Sequence, residues 1–304
     1  MDSIPRQFAR TVVDLHEDAG ADWLNRLPEI IADCERRWSL TVERPFAQLS
    51  YNYAAPAVRS NGTRVVLKAG VPTRELRTEI EALRLFDGRG SVRLLAADPD
   101  DGLLLLEQLK PGTPLSRLDD DRQATSIAAQ VMRQLWRPVP PEHGFPTIAD
   151  WAAGLGKLRR RFEGGTGPLP SRLVEEAETL FVELIATMAE PVLLHGDLHH
   201  DNILAAERQP WLAVDPKGVV GEPTCDVWAL LSNPAPQLLA EPRPGRILTR
   251  RVHQLADELG FDRKRIRGWG LAQSVLSAWW SLEDHGHGWE WAISCAEALA
   301  EMDV

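Results

Sequence analysis

The chain has 304 residues, of which 44% are hydrophobic and 26% charged, and its formal net charge is −10 at pH 7. The acidic balance argues against a nucleic-acid partner, because binding to the phosphate backbone requires concentrated lysine and arginine. No apolar run approaches the ~20 residues of a membrane span, so we expect no membrane partner.

The amino terminus brings charge close to every apolar cluster and lacks the uninterrupted apolar region of a secretory signal. Cys34, Cys225 and Cys295 are widely spaced and form no CxxC pair, which argues against a disulfide framework and a zinc site. We therefore expect a cytoplasmic protein with reduced thiols. Both a monomer and a homodimer are compatible with the sequence.

The first half of the chain predicts a small lobe of strands with one key helix. Helices are expected within residues 1–45, as an extension that packs on this lobe. The segment from Phe46 to Ala69 predicts three strands, and Asn61-Gly62 is the residue pair favoured in a two-residue hairpin turn. Residues 91–98 and 103–108 predict a further hairpin, whose second strand is apolar throughout and therefore buried on both faces.

A helix is predicted from Thr73 to Phe86, and Glu79 falls within its apolar arc. A carboxylate directed inward is costly unless a cation meets it, and Lys68 ends the preceding strand. We therefore predict a Lys68–Glu79 ion pair. A half-exposed Glu79 is the alternative, with Glu75, one helical turn earlier, as the second possible partner of the lysine.

Pro and Gly within residues 110–114 predict the linker between two lobes, because they interrupt regular structure after the apolar strand. We expect a first lobe at 1–109 and a second lobe at 110–304, in which helical periodicity dominates. The expected fold class is α+β, a two-lobed fold with an antiparallel sheet in the first lobe and a larger, mainly helical second lobe.

The residues that carry chemistry lie near position 200. His195, Asp197, Leu198 and Asn202 fit the kinase catalytic-loop pattern H-x-D-L-x-x-x-N, and Asp215 follows a short apolar strand. Phosphoryl transfer needs mainly positioning and charge neutralisation, so one base and oxygen ligands for Mg²⁺ suffice. We predict Asp197 as the base, Asn202 and Asp215 as magnesium ligands, and Lys68 as the clamp on the ATP phosphates.

Two alternatives remain open for this loop. Asp and Asn also satisfy turn geometry without any catalytic role. His195, His199 and His200 lie within six residues and could bind a transition metal, because imidazole is a common metal ligand. We favour a scaffold role for His195, since Mg²⁺ prefers oxygen ligands. His199 either faces the cleft, where it would bind the substrate, or supports the loop.

The sequence resembles the aminoglycoside/hydroxyurea antibiotic resistance kinases of the streptomycin 6-phosphotransferase type, within the aminoglycoside phosphotransferase superfamily. The resemblance rests on four segments, at 50–57, 81–95, 195–204 and 215–228. It implies a protein-kinase-like fold, with a nucleotide-binding lobe at 1–109 and a catalytic and substrate-binding lobe at 110–304. It also implies the same roles for Asp197, Asn202, Asp215 and Lys68. It further implies that residues 50–55, including Ser50 and Asn52, cover the nucleotide phosphates, and that the backbone around Glu107 and Gln108 receives adenine.

Two departures from the protein-kinase pattern argue against a protein substrate. No G-x-G-x-x-G precedes Lys68, and Asp-Pro-Lys-Gly replaces Asp-Phe-Gly at residue 215. An aminoglycoside, by contrast, is a polycation with hydroxyl groups. Trp279 or Trp280 could stack on its sugar or cation, and Glu283 and Asp284 could bind its ammonium or guanidinium groups. Core indoles and a solvated helix end are the alternative.

The leading prediction is an ATP- and Mg²⁺-dependent phosphotransferase acting on streptomycin or a related aminocyclitol, which would inactivate the antibiotic. A second prediction keeps this chemistry but takes an endogenous metabolite or hydroxyurea as acceptor. A third, from another class, is a nucleotide-binding protein without turnover. The complete set of Lys68, Asp197, Asn202 and Asp215 argues against this third function.

Overall fold

The computed structural model describes residues 4–47, 49–240 and 244–304. The chain divides into two compact units, Met1–Gly112 and Thr113–Val304. The boundary follows Gly112, three residues after the position predicted from the sequence. Within the described ranges, no helix is both long and apolar enough to cross a membrane.

The first unit contains a five-stranded sheet and two helices. Its strands are ordered β1-β2-β3-β5-β4, and the neighbouring strands pair antiparallel. This confirms the predicted antiparallel lobe. The elements are α1 (Arg6–Trp38), β1 (Leu40–Val42), β2 (Tyr53–Arg59), β3 (Arg64–Ala69), α2 (Arg74–Phe86), β4 (Leu94–Asp98) and β5 (Leu103–Glu107).

The prediction of three strands between Phe46 and Ala69 is wrong in one respect. This segment holds β2 and β3, whereas the third strand, β1, lies earlier in the chain. The residues after β1 keep only separate bonds to β2, from the Glu43 N–H to the Pro56 carbonyl (2.8 Å) and from the Phe46 N–H to the Ala54 carbonyl (3.0 Å). Pro45 lies between them and has no N–H to continue the ladder.

The hairpin between β2 and β3 is present, but its connection has four residues instead of two. The Arg59 N–H donates to the Thr63 carbonyl (2.9 Å), and the Thr63 N–H donates to the Asn61 side-chain oxygen (3.0 Å). Gly62 has a φ of 81°, a left-handed conformation that glycine adopts at little cost. Asn-Gly therefore does form the turn, within a longer loop.

Helix α2 begins and ends as its sequence predicts. Thr73 caps its amino terminus by accepting a bond from the Leu76 N–H (3.2 Å), and Asp87 ends it in a left-handed conformation. The apolar face is buried at Leu76, Ile80, Leu83 and Phe86.

The amino-terminal extension packs on the sheet of the first unit. Helix α1 buries Phe8, Trp23 and Leu27 in one core together with Tyr53 of β2 and Leu67 of β3. Its axis is interrupted at Glu17, which has φ 50° and ψ −130°. Burial of aromatic and aliphatic side chains on both sides of this interruption ties the extension to the lobe.

The second unit is mainly helical, as predicted. Strand β6 (Pro111–Pro114) crosses the unit boundary, and short 3₁₀ turns lie at Leu115–Arg117, His200–Asn202 and Pro223–Val227. The remaining elements are α3 (Asp121–Leu135), α4 (Ile148–Arg161), α5 (Ser171–Ala186), β7 (Val192–Leu194), β8 (Ile203–Ala206), β9 (Trp211–Ala213), β10 (Val219–Gly221), α6 (Trp228–Ser232), α7 (Ala235–Ala240), α8 (Pro244–Leu259), α9 (Arg263–His285) and α10 (Glu290–Ala300).

Two strand pairings in the second unit hold the predicted catalytic residues. Strand β7 pairs antiparallel with β10, and β8 pairs antiparallel with β9. The segment 195–202 connects β7 to β8, and residues 214–218 connect β9 to β10. Because both connections run between the same two strand pairs, Asp197, Asn202 and Asp215 are brought to one region of this unit.

Candidate active site

A buried ion pair joins β3 to α2 in the first unit. Lys68 Nζ lies 2.6 Å from Oε1 and 2.8 Å from Oε2 of Glu79. Both side chains are only 7% exposed, so the carboxylate charge offsets an ammonium that would be costly to bury alone. The predicted pair is confirmed, and the alternative partner Glu75 is exposed.

Ser50 and Asn52 lie in the connection that precedes β2. A Cβ built on Gly70 would fall 2.0 Å from Oδ1 of Asn52, so the asparagine side chain lies directly against the end of β3. Any residue larger than glycine at position 70 would displace it. The Asn52 side chain is thereby held against Gly70, which follows Lys68 by two residues.

Glu107 and Gln108 are engaged with neighbouring strands. The Glu107 N–H donates to the Arg93 carbonyl (3.0 Å), and its Oε1 accepts from the Arg93 N–H (2.9 Å). Gln108 Oε1 accepts from Nε of Arg64 (2.7 Å). Since the Glu107 N–H is already bonded to Arg93, a backbone contact to a nucleotide base would have to involve the Glu107 carbonyl or the backbone of Gln108.

In the second unit, residues 195–202 form the catalytic loop, and His195 fixes its start. The Val214 carbonyl lies 2.8 Å from His195 Nε2, and the Asp197 N–H donates to Nδ1 (3.3 Å). A carbonyl can only accept and an N–H can only donate, so His195 is the neutral Nε2–H tautomer. Burial lowers its pKa to about 3. The predicted scaffold role of His195 is confirmed.

Asp226 anchors the same loop from the opposite side, and sequence reasoning missed it. Its carboxylate accepts from the N–H of His195 (3.1 Å), from the N–H of Gly196 (2.8 Å) and from Nε1 of Trp136 (3.1 Å). The residue is 1% exposed. Burial raises the pKa of this carboxyl group, and the three donors act against that rise.

A sequence signal for Asp226 did exist. It lies between Cys225 and Val227 in a largely apolar segment, and a carboxylate in such surroundings needs donors or a cation. The same argument identifies Glu79, whose place in a helical arc also marks it as inward-facing. Asp226 follows the catalytic motif and has no such arc.

Asn202 connects Asp197 to the segment that leads to Asp215. Its Nδ2 donates to the Asp197 carbonyl (2.9 Å), and its own carbonyl accepts from the Val214 N–H (2.9 Å). Asp215 is exposed and has a φ of 59°, a conformation that costs energy for a non-glycine residue and is found at functional turns. Asn202 is therefore bonded both to Asp197 and to the residue that precedes Asp215.

The donor set of this arrangement suits a hard divalent cation. With Nδ2 of Asn202 committed to the Asp197 carbonyl, the amide group presents an oxygen as its remaining polar atom. Asp215 contributes a carboxylate on an exposed turn. Magnesium prefers oxygen ligands of this kind and few protein contacts, so both residues fit it.

The other two histidines of the loop have protein partners. His199 Nδ1 accepts from the Asp201 N–H (3.2 Å), and its Nε2 lies 3.9 Å from Oδ2 of Asp197. His200 is buried with its Nε2 3.5 Å from Nη2 of Arg251, and burial lowers its pKa to about 3. His199 is thus beside the predicted base, whereas His200 belongs to the interior.

The predicted substrate residues of α9 separate into two groups. Trp279 is 1% exposed, so its ring belongs to the core, and the expectation that it offers a stacking face is wrong. Trp280 and Glu283 are partly exposed, and Asp284 is exposed. Adjacent residues on a helix point about 100° apart, which is why one indole is buried while the next reaches the surface.

Comparison with known proteins places this architecture in a family. The sequence model of the aminoglycoside/hydroxyurea antibiotic resistance kinases matches residues 37–285. The chain belongs to this family. The resemblance noted from the sequence and the predicted enzyme class, a phosphotransferase, are therefore confirmed.

Members with curated names cover almost the whole chain. The family relative streptomycin 6-kinase of Streptomyces glaucescens is 33% identical over 97% of this chain and 96% of its own length. Hydroxyurea phosphotransferase of Kitasatospora aureofaciens is 35% identical over 92% of this chain and 81% of its own length.

A solved structure agrees with the fold. A thermostable mutant of aminoglycoside phosphotransferase APH(4)-Ia, in ternary complex with ADP and hygromycin B, superimposes with a TM-score of 0.62 at 14% identity. The match covers 89% of this chain and 97% of that one. The predicted α+β, protein-kinase-like fold is confirmed.

Proposed function

We propose that this family member transfers the γ-phosphate of ATP to a hydroxyl group of streptomycin or a closely related aminocyclitol. The observation that carries the proposal is a pair of hydrogen bonds of Asn202, whose side chain donates to the Asp197 carbonyl and whose own carbonyl accepts from the Val214 N–H. These two bonds tie the loop of the predicted base to the segment that leads to Asp215, which supports a reaction that depends on positioning.

Asp197 is assigned as the general base. Its side chain is 30% exposed, so a substrate hydroxyl can reach it, while its backbone is held on both sides by His195 and Asn202. As the acceptor oxygen bonds to the γ-phosphorus and the bond to the ADP oxygen breaks, the hydroxyl proton passes to the Asp197 carboxylate. His199, with Nε2 near that carboxylate, is assigned to the acceptor side.

Lys68 is assigned as the phosphate clamp, and Glu79 as the residue that holds it. Ser50 and Asn52 are assigned to cover the phosphates, and the backbone at Glu107 and Gln108 to bind adenine. Magnesium, held by Asn202 and Asp215, would neutralise charge on the phosphates. We thus assign the nucleotide contacts mainly to the first unit and proton transfer to the second.

Streptomycin is the first candidate acceptor because a streptomycin 6-kinase is similar over nearly the full length of both chains. Hydroxyurea is the second candidate, since the hydroxyurea phosphotransferase has a comparable identity. The exposed carboxylate and partly exposed indole at the end of α9 favour a large cationic acceptor over a small neutral one.

The test is a coupled ADP-release assay with Mg²⁺-ATP and either streptomycin, other aminoglycosides or hydroxyurea, run on the parent and on Asp197→Asn. We expect streptomycin-dependent turnover in the parent and a loss of roughly 10²–10⁴-fold in the variant, the usual contribution of a positioned base. Turnover by Asp197→Asn within a few-fold of the parent would refute the base assignment. Turnover with hydroxyurea alone would favour the second acceptor.

A further inference from the structure

The indole of Trp151 reaches the catalytic loop. A Cβ built on Gly196 would lie 2.9 Å from Cη2 of Trp151, so the tip of this ring rests on the residue immediately before Asp197. Gly196 also has a φ of 85°, and glycine is therefore required there for both conformation and space. Sequence reasoning assigned no role to Trp151.

Trp151 also contacts the predicted substrate residue Trp280. The two ring centroids are 5.3 Å apart and the rings are nearly perpendicular, at 89°, a favoured edge-to-face arrangement. Gly154, one turn after Trp151 on α4, lets α9 approach closely, because a Cβ there would lie 2.9 Å from Leu276 and 3.6 Å from Trp280 Nε1. The pair is thus a packed unit that spans α4 and α9.

The start of α4 is fixed relative to the catalytic loop. Thr147 and Asp150 form a reciprocal capping box at its amino terminus. The Val220 N–H donates to the Pro146 carbonyl (2.9 Å), and a Cβ built on Gly221 would fall 2.5 Å from Ile148. Val220 and Gly221 belong to β10, which pairs with β7, the strand that leads into His195. The start of α4 is therefore held against the strands that carry the catalytic loop.

Part of this aromatic surface stays in contact with solvent. Trp151 and Trp280 are each partly exposed, although burying both rings completely would be more favourable. Glu283 and Asp284 follow Trp280 by three and four residues, a spacing that puts them on its side of the helix. We call Trp151, Trp280, Glu283 and Asp284 together the acceptor wall. Its Trp151 ring contacts the catalytic loop at Gly196, and its two carboxylates lie one helical turn after Trp280, at the far end of the wall.

We propose that Trp151 is a specificity-determining residue that binds the acceptor, a cationic aminocyclitol, by stacking beside Asp197. This inference rests on the proposed function and adds to it the residue that places the acceptor next to the base. A ring face attracts ammonium and guanidinium groups and packs against the apolar face of a sugar. The carboxylates at the far end of the wall would bind the remaining cationic groups.

Steady-state kinetics with streptomycin and ATP test the proposal on the parent, Trp151→Ala, Trp151→Leu and Trp151→Phe. Removing the ring should raise KM for streptomycin about tenfold, from one cation–π contact and its buried area. We expect KM for ATP and kcat to stay within about twofold of the parent, since the ring contacts the loop at Gly196 and takes no part in proton transfer. Trp151→Phe keeps a ring face and should stay within about threefold of the parent KM.

Trp289→Ala is the matched control, because it removes another partly exposed indole of the same unit, outside the acceptor wall. Its kinetic constants should match the parent. Trp151→Leu keeps apolar bulk without a ring face. If thermal melting shows that Trp151→Ala does not fold, the streptomycin KM of Trp151→Leu tests the proposal instead. An unchanged streptomycin KM in Trp151→Leu would overturn the proposal.

A fall in kcat with unchanged streptomycin KM would also overturn it, since Trp151 would then act only as a prop for the catalytic loop. Failure of the proposed function looks different, because the parent itself would then show no streptomycin-dependent ADP release. That outcome would remove the aminocyclitol as acceptor and the role of Trp151 with it.

Discussion

The catalytic loop and the acceptor wall lie in the same unit but are held in opposite ways. The loop is tied by backbone groups: His195 and Gly196 donate to the buried Asp226, and Asn202 holds the Asp197 carbonyl. The acceptor wall consists of side chains that are partly or fully exposed, and its rings are positioned by packing.

This difference separates chemistry from selection. A proton acceptor must stay within hydrogen-bond reach of the hydroxyl, so its support has to be rigid. A surface that selects a ligand can contribute through several weak contacts, each replaceable without loss of the others. Changes that affect the loop should therefore cost stability and turnover, whereas changes in the wall should alter mainly KM for the acceptor.

The largest effect is expected from Asp226→Ala. The substitution leaves the N–H groups of His195 and Gly196 and the indole N–H of Trp136 without their acceptor in a buried region. At roughly 1–3 kcal/mol for each unmet buried group, and with some relief by water, we expect the free energy of unfolding to fall by about 3–5 kcal/mol. Urea denaturation followed by circular dichroism measures it.

The control for Asp226→Ala is Asp257→Ala, which removes an exposed carboxylate paired with Arg263 at 2.9 Å. Exposed pairs contribute about 0–1 kcal/mol, so this variant should unfold close to the parent. Equal losses in the two variants would contradict the view that Asp226 anchors the catalytic loop.

The second prediction concerns the free energy of unfolding at acidic pH, which should depend on the buried histidines and not on the exposed ones. His195 and His200 each have a pKa lowered to about 3 by burial, whereas in the unfolded chain they protonate near 6.5. Their stabilising contribution is therefore complete above pH 6.5 and decreases as the pH falls towards 3. Between pH 7.5 and 5.5 we expect a loss of about 1.4 kcal/mol for each histidine.

Asp226 acts in the other direction, because burial raises its pKa and its protonation in acid favours the folded state. The histidine contribution is isolated by comparing unfolding free energies of the parent and His200→Gln at pH 7.5 and 5.5. The variant should lose about 1.4 kcal/mol less than the parent over this range. His285→Asn, at an exposed position, should follow the parent, and a loss in His200→Gln equal to that of the parent would refute the prediction.

Local sequence patterns explain what could be predicted. The Lys68–Glu79 pair could be predicted because both residues lie on adjacent elements with clear periodicity. Asp197 and Asn202 could be predicted because kinase chemistry fixes their spacing. Trp151 could not, since it meets Trp280 from a helix far away in sequence. Local patterns carry no information on which helix faces will pack together.

Smaller errors have the same origin. Trp279 and Trp280 are chemically identical neighbours, and which ring is buried depends on how α9 packs against the other helices of the unit. The connection between β2 and β3 has four residues because the Arg59 N–H reaches the Thr63 carbonyl, a choice that the Asn-Gly pair does not fix. Strand β1 lies before Pro45, where the ladder with β2 is still unbroken.

The smallest effect is expected at the far end of the acceptor wall. Glu283→Gln and Asp284→Asn each remove one charge from a solvated helix end, where a charge pair contributes only about 0.2–1 kcal/mol. KM for streptomycin should therefore rise two- to fivefold in each variant, with unchanged kcat. The rise should shrink at about 1 M salt, where the Debye length falls to ~3 Å.

Glu183→Gln is the control for these charges. Glu183 is an exposed residue of α5. The carbonyl of the neighbouring Leu184 accepts a hydrogen bond from Arg265. Arg265 lies near the start of α9, about 20 Å along the helix from Trp280. A general loss of negative charge would affect all three variants alike, whereas a local contact would affect only Glu283 and Asp284. Because such contacts are screened while ring stacking is not, high salt should leave the effect of Trp151→Ala intact and remove that of Glu283→Gln.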